Sequence, residues 1–219
     1  MTIIKGKTIL VTGASRGLGY QTAKLLAKEG AHVLGLARTV GALETLSDEI
    51  NEFGGVSTMI PLDLTDDVSL NSLSKDIASR WGKLDFLVHV AGIPAPMSPV
   101  TSISLRDLDK LFLTNTRALV KLIQEIDPLL KLSSDAKALF VDDFYKGKFL
   151  ATYSASKAAS REIILSYKEE SNRLGVTVMS FVPKPMPTAL RARFHPGEAK
   201  KDLTNIKSQA ENLISMLKS

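Results

Sequence analysis

Six short apolar runs, each bounded by turn residues and separated from the next by a segment of helical periodicity, constrain the fold of this chain most. The runs are KTILVT, AHVLGLA, VSTMIPL, LDFLVHV, AKALFV and GVTVMSFV. They are aliphatic or β-branched and nearly free of charge, the pattern of strands buried on both faces in a parallel sheet. Amphipathic stretches at residues 17–29, 40–53, 66–80, 104–131, 152–173 and about 202–218 repeat their apolar residues at helical spacing. In LGYQTAKLLAKEG the other face holds Lys and Glu, and Gly30 marks the stop. Strand–helix alternation over nearly all 219 residues predicts one doubly wound α/β domain spanning 1–219, with right-handed crossovers.

Composition removes several function classes. The chain has no cysteine, which excludes disulfides and thiolate metal sites and fits a reducing compartment. His32 and His195 have no ligand-like spacing, so no metal is expected. The net charge of +5 comes from scattered Lys and Arg without interleaved aromatics, an ordinary solvated surface rather than a nucleic-acid stripe. The N-terminal MTIIKGKTILVTG is too short an apolar run for a signal peptide, and no segment approaches the ~20 apolar residues of a membrane span. The expectation is a soluble cytoplasmic protein with neither nucleic-acid nor membrane partner.

Between the first strand and the first helix, TGASRGLG places Gly13, Gly17 and Gly19, with Ser15, Arg16 and Leu18 among them. A tight turn, a close backbone approach and close packing of the helix each call for glycine here. The helix start offers free N–H groups and a positive dipole end to a pyrophosphate. The spacing Gly-x-x-x-Gly-x-Gly resembles the cofactor loop of the short-chain dehydrogenase/reductase family. The resemblance implies a Rossmann-type sheet of about six strands in order 3-2-1-4-5-6.

The second strand ends LGLARTV, with Ala37 where an acidic residue would read the ribose hydroxyl of NAD, followed by Arg38. Arg38 and Arg16 suit a 2′-phosphate, which favours NADP(H) over NAD. Asp63 in PLDLTD, with Leu64 beside it, matches the family's contact to the adenine amine; a turn or cap carboxylate is the competing reading. HVAG stands where the family shows Asn-Asn-Ala-Gly, with Ala91 and Gly92 kept for close approach to the cofactor and His89 read as a structural hydrogen-bonding residue. FVPKPMPT resembles the family's Pro-Gly-x-x-x-Thr, so Pro183 and Thr188 join the cofactor set, while Lys184 occupies the usual glycine position.

Tyr153 and Lys157 in YSASK lie one helical turn apart on one face. An ammonium lowers a neighbouring phenol's pKa from near 10 and suits it to proton transfer at a carbonyl or alcohol. The resemblance implies that Tyr153 is the acid/base, that Lys157 also holds the nicotinamide ribose, and that Asn115 in LFLTNTRAL serves a proton relay. A carbonyl or alcohol small molecule would be the substrate.

The family places a serine just after the fifth strand, and this chain has Asp142-Asp143. Counting from the strand assigns Asp143 to that position, with a registry uncertain by one. An ionised aspartate cannot donate a hydrogen bond and would raise the pKa of Tyr153. Three readings stay open: a protonated Asp143 donating in the serine's place, a cationic substrate group, or a catalytically weak scaffold that serves as a dinucleotide-binding sensor. The substrate loops are expected at 93–102 and 184–200 as irregular segments. No seventh strand follows, and a homodimer through the helices at 104–131 and 152–173 is the expected assembly.

Overall fold

The computed structural model describes residues 3–145, 147–171 and 175–219. Strands β1 (Thr8–Thr12), β2 (His32–Ala37), β3 (Val56–Pro61), β4 (Phe86–His89), β5 (Ala136–Val141) and β6 (Val176–Phe181) form one sheet in the order β3-β2-β1-β4-β5-β6. Every neighbouring pair is parallel. The intervening helices are α1 (Gly17–Lys28), α2 (Val40–Asn51), α3 (Asp67–Trp81), α4 (Leu105–Phe112), α5 (Ala118–Leu130), α6 (Ala151–Ser171), α7 (Ala189–Phe194) and α8 (Ile206–Lys218). This is the Rossmann-type order expected from the sequence.

The alternation of side chains along each strand divides the core into two apolar layers. Ile9, Val11 and Val33 pack with Ala23 and Leu26 of α1, Leu46 of α2 and Leu213 of α8. Leu10, Leu34 and Leu36 point the other way, against Leu73 of α3, Leu122 of α5 and Ile164 of α6. Both faces of β1, β2 and β4 are therefore dry, which is why those runs carry almost no charge.

Four expectations need correction. The outer strands are not buried on both faces: Val56 of β3 is 55% exposed, and Thr177 and Ser180 of β6 face solvent, because an edge strand has fewer elements to cover it. The stretch 104–131 is not one helix but α4, a π-helical turn at Leu113–Arg117, and α5. Within that turn Asn115 is drawn to the backbone of Ile93, and Thr114 bonds back to the carbonyl of Lys110, contacts that compete with a regular helix. Segment 184–200 is not wholly irregular, since α7 lies within it, capped by Thr188 accepting from the N–H of Arg191. The last helix starts at Ile206 behind an Asn205 cap, later than the expected 202. The expected helix 152–173 matches α6 as far as Ser171; positions 172 and 173 lie outside the described residues.

The sheet order reverses between β1 and β4, so the loops leaving the carboxyl ends of these two strands diverge and open a crevice there. The segments after β5 and β6 extend the same edge.

Candidate active site

A cleft of about 670 Å3 runs along this edge, from the loop after β1 to the segments after β5 and β6. Its floor at one end is the glycine loop. Gly13 has φ +73°, and a Cβ there would lie 2.9 Å from the Ala91 backbone nitrogen, so the loops after β1 and β4 touch directly. A Cβ on Gly19 would lie 2.3 Å from the Gly13 carbonyl oxygen. The tightest constraint on Gly19 is therefore the loop folding onto its own helix rather than helix against sheet. No side chain caps α1 and no acidic residue occupies its first turn. Its free N–H groups and positive end thus fit the pyrophosphate of a dinucleotide.

Ser15, Arg16, Gly17 and Leu18 line this end of the cleft. Arg38 and Asp63 stand at the ends of β2 and β3, with Arg38 Nη1 3.5 Å from Asp63 Oδ2, and both line the cleft, as does Leu64. Asp63 Oδ1 also accepts from the backbone N–H and the hydroxyl of Thr65, so it closes a turn. Burial acts to raise the Asp63 carboxyl, but the Thr65 bonds and the Arg38 guanidinium outweigh it and hold the pKa below the ordinary value.

At the middle of the cleft lie Ala91, Gly92, Pro183 and Thr188. Thr188 reaches over the glycine loop: its Cγ2 is 3.6 Å from where a Cβ on Gly17 would sit. Lys184, at the usual glycine position, donates its backbone N–H to the buried Gln209 Oε1 at 2.9 Å, which anchors this segment to α8. His89 is buried beneath, its Nδ1 2.9 Å from the Thr12 hydroxyl. Burial, aided by the charge of Lys157, pushes its pKa down to about 3.

The far end holds the groups with acid/base chemistry. The Tyr153 hydroxyl donates to Asp143 Oδ2 at 3.0 Å, whereas Asp142 turns away to pair with Arg161 Nε at 2.5 Å. Of the adjacent aspartates, Asp143 is the one facing the tyrosine. Lys157 Nζ donates to the Val141 carbonyl at 3.0 Å. Asn115 lies just behind, 5% exposed; its amide bonds both backbone polar groups of Ile93 and the Ser156 hydroxyl. Its own carbonyl accepts from Ser160 Oγ. Neither Asn115 nor Gly19 lines the cleft itself; both support residues that do.

The electrostatics differ from the expected lowering of the Tyr153 pKa. Burial pushes Tyr153 above the ordinary phenol range, and the Asp143 carboxylate pushes it further. Burial likewise raises Asp143, against the hydrogen bond from Tyr153 and the charge of Lys157. Lys157 is driven below its ordinary value by burial, with the two aspartates opposing. The pair Asp143–Tyr153 thus favours keeping its protons.

Some neighbours of Tyr153 were invisible in the sequence. Phe194 of α7 packs its ring 4.8 Å from that of Tyr153, and Tyr145 stands at 5.8 Å. Arg191 bonds the Tyr145 hydroxyl at 2.8 Å and forks onto Glu198. The Phe194–Tyr153 and Arg191–Tyr145 contacts join segments some 40 to 50 residues apart, and no local pattern announces them. Arg161 was legible in principle, one further turn along the face that carries Tyr153 and Lys157.

A doubly wound parallel sheet whose switch-point cleft joins a glycine-lined helix start to a Tyr–Lys pair defines a dinucleotide-dependent class of α/β protein. A family model described as short chain dehydrogenase matches residues 7–199, and the chain belongs to that family of oxidoreductases. An uncharacterized oxidoreductase of Staphylococcus haemolyticus is 28% identical over 204 residues, covering 92% of this chain and 87% of its own. Among solved structures, a Pseudomonas syringae protein assigned to the short chain dehydrogenases superposes with a TM-score of 0.92 at 29% identity, covering 98% of this chain and 90% of the other. A Shigella flexneri protein with the same assignment, complexed with NADP, gives a TM-score of 0.91 over 100% of this chain and 94% of its own; at 23% identity it speaks to the fold alone. No helix among the described residues is long and apolar enough to cross a membrane.

Proposed function

We propose that this chain is an NADP(H)-dependent oxidoreductase that interconverts a carbonyl compound and its alcohol. The observation that carries this reading is the single cleft joining the uncapped, glycine-lined start of α1 to the Tyr153 hydroxyl. The preference for NADP(H) rests on Arg16 and Arg38 at the ribose end, with Ala37 rather than an acid closing β2.

The bound nicotinamide supplies or accepts the hydride. In the reductive direction Tyr153 gives its proton to the substrate oxygen, and Lys157 stabilises the phenolate that results. Asp143 takes the position of the family's serine in its protonated form and donates a hydrogen bond to the same oxygen. Burial favours that form, and a neutral Asp143 also removes the carboxylate that raises Tyr153. Asn115 holds the start of the loop 93–102 through Ile93, next to Gly92. Asp63 takes the adenine amine from its position in the cleft wall, and Thr188 the cofactor's amide or phosphate.

The test is turnover of NADPH across a panel of aldehydes, ketones and 1,2-dicarbonyls, and of NADP with alcohols. Activity that falls on Tyr153→Phe by about a hundredfold or more agrees with general acid/base catalysis. Tight NADPH binding with no turnover on any member would sink the reading in favour of a sensor.

A further inference from the structure

Helix α6 presents Tyr153, Lys157 and Arg161 at successive turns of one face, and they grip the end of β5 and the segment that follows it. Tyr153 holds the Asp143 carboxylate and Lys157 the Val141 carbonyl. Arg161 holds three consecutive residues at once. Its Nε and Nη2 fork onto Asp142, at 2.5 and 3.4 Å, and Nη2 also reaches the Asp143 carbonyl at 3.4 Å. The guanidinium carbon Cζ lies over the Phe144 ring, 3.8 Å from its centre. Asp142, so held, accepts the N–H of Asp143 on Oδ1 at 2.7 Å.

Residues 142–145 have no helix or strand of their own. In this stretch the backbone bond from Asp142 to the Phe181 carbonyl is the link to the sheet. Side chains must therefore fix where the Asp143 carboxyl points, and among the described residues Arg161 supplies more of those contacts than any other. The Asp142 side chain is 4% exposed against 26% for Arg161, so this is not a surface ion pair that solvent would replace. Lysine offers neither the fork nor the flat face.

We propose that Arg161, acting through Asp142, is a positioning residue that aims the Asp143 carboxyl at the Tyr153 hydroxyl. It does not line the cleft and touches neither cofactor nor substrate. The proposal rests on the reading above that Tyr153 transfers the proton and Asp143 hydrogen-bonds the same substrate oxygen; the contact it concerns is observable without turnover. The charged and titratable groups facing Asp143 are Tyr153 and Lys157 from α6, Asp142 and Tyr145 from its own segment, and Arg191 from α7. Losing Arg161 would leave the Asp142 carboxylate uncompensated beside Asp143.

The experiment uses protein labelled with 13C at the tyrosine Cζ, whose four tyrosine resonances are assigned with Tyr153→Phe. In Arg161→Met the Tyr153 signal should shift toward its position in Asp143→Ala. Asp142→Asn, which keeps an acceptor for the Asp143 N–H but weakens the ionic fork, should give a smaller shift in the same direction. NADPH affinity, read by fluorescence, should stay within about twofold. With 9,10-phenanthrenequinone as carbonyl probe, kcat should fall roughly ten- to a hundredfold with little change in NADPH KM, as expected for a misplaced catalytic group. Arg161→Lys covers the case in which the methionine variant does not fold, and should restore only part of the signal. An unmoved Tyr153 resonance in a folded Arg161 variant overturns the proposal. If the resonance moves but the wild type reduces no carbonyl, the positioning role stands and the proposed activity falls.

Discussion

The Tyr153 hydroxyl sits 3.0 Å from Asp143 Oδ2, and burial pushes both groups toward their protonated forms. A carboxyl in this position is useful as a donor only while it holds its proton. Carbonyl reduction should therefore be full below the raised pKa of Asp143 and decline as pH climbs through it. Asp143→Asn keeps a donor that does not ionise, so its rate should stay within about tenfold of wild type and lose that alkaline limb. Asp143→Ala removes the donor and should lower kcat by about 10²–10³. Asp143→Ser settles the alternative: a large gain in rate would mean that the carboxylate impairs the site, and a loss would mean that it takes part.

The same carboxyl should leave a trace in stability. Its folded-state pKa lies above the unfolded value near 3.8, so ionisation is harder in the folded chain. The stability that accompanies the acid form is fully present below the unfolded pKa and lost as pH rises through the folded one. Asp143→Asn should consequently match wild type in thermal midpoint near pH 4 and exceed it progressively toward neutrality. Parallel melting curves at every pH would contradict the burial argument.

Arg38 is 57% exposed and its contact with Asp63 is 3.5 Å long, so it is free to turn to a ligand. Losing one charge-assisted hydrogen bond costs about 1.5–3 kcal/mol, or roughly ten- to a hundredfold in affinity. Arg38→Asp should weaken NADPH by that factor and NADH far less. Titration showing NADH as tight as NADPH in the wild type, or NADPH unaffected in the variant, would refute the assignment of this end of the cleft.

What the sequence made legible was periodic or short-range. Buried strands and amphipathic helices repeat at fixed intervals, so a doubly wound α/β domain followed from six apolar runs, and the family resemblance carried by the glycine loop implied the sheet order. Tyr153 and Lys157, one helical turn apart, stood out because YSASK resembles the family's Tyr-x-x-x-Lys at this point in the strand–helix order. What stayed hidden depends on distant contacts. The π turn arises because Asn115 is claimed by Ile93 across 22 residues. The burial that raises Tyr153 comes partly from Phe194 of α7, which no spacing links to it. A lysine four residues away suggested a lowered phenol, but packing and a facing carboxylate outweigh it. Counting from the strand already points to Asp143 rather than Asp142 as the one facing the tyrosine; that Arg161 holds Asp142 away was not legible.

The Thr12 hydroxyl and His89 Nδ1, 2.9 Å apart, tie the ends of β1 and β4 together beneath the cleft. Because burial lowers the His89 pKa from 6.5 to about 3, the folded chain keeps this imidazole neutral where an unfolded chain would protonate it. A depressed pKa gives stability that is present above the unfolded value and lost as pH falls toward the folded one. His89 alone should thus reduce stability by about 1.4 kcal/mol for each pH unit below about 6. Urea unfolding of the wild type at pH 7.5 and pH 5 should show that loss. His89→Asn keeps an amide to bond Thr12 and does not titrate, so it should remove most of the difference. An equal acid loss in the variant would mean that other groups set the acid sensitivity of the fold.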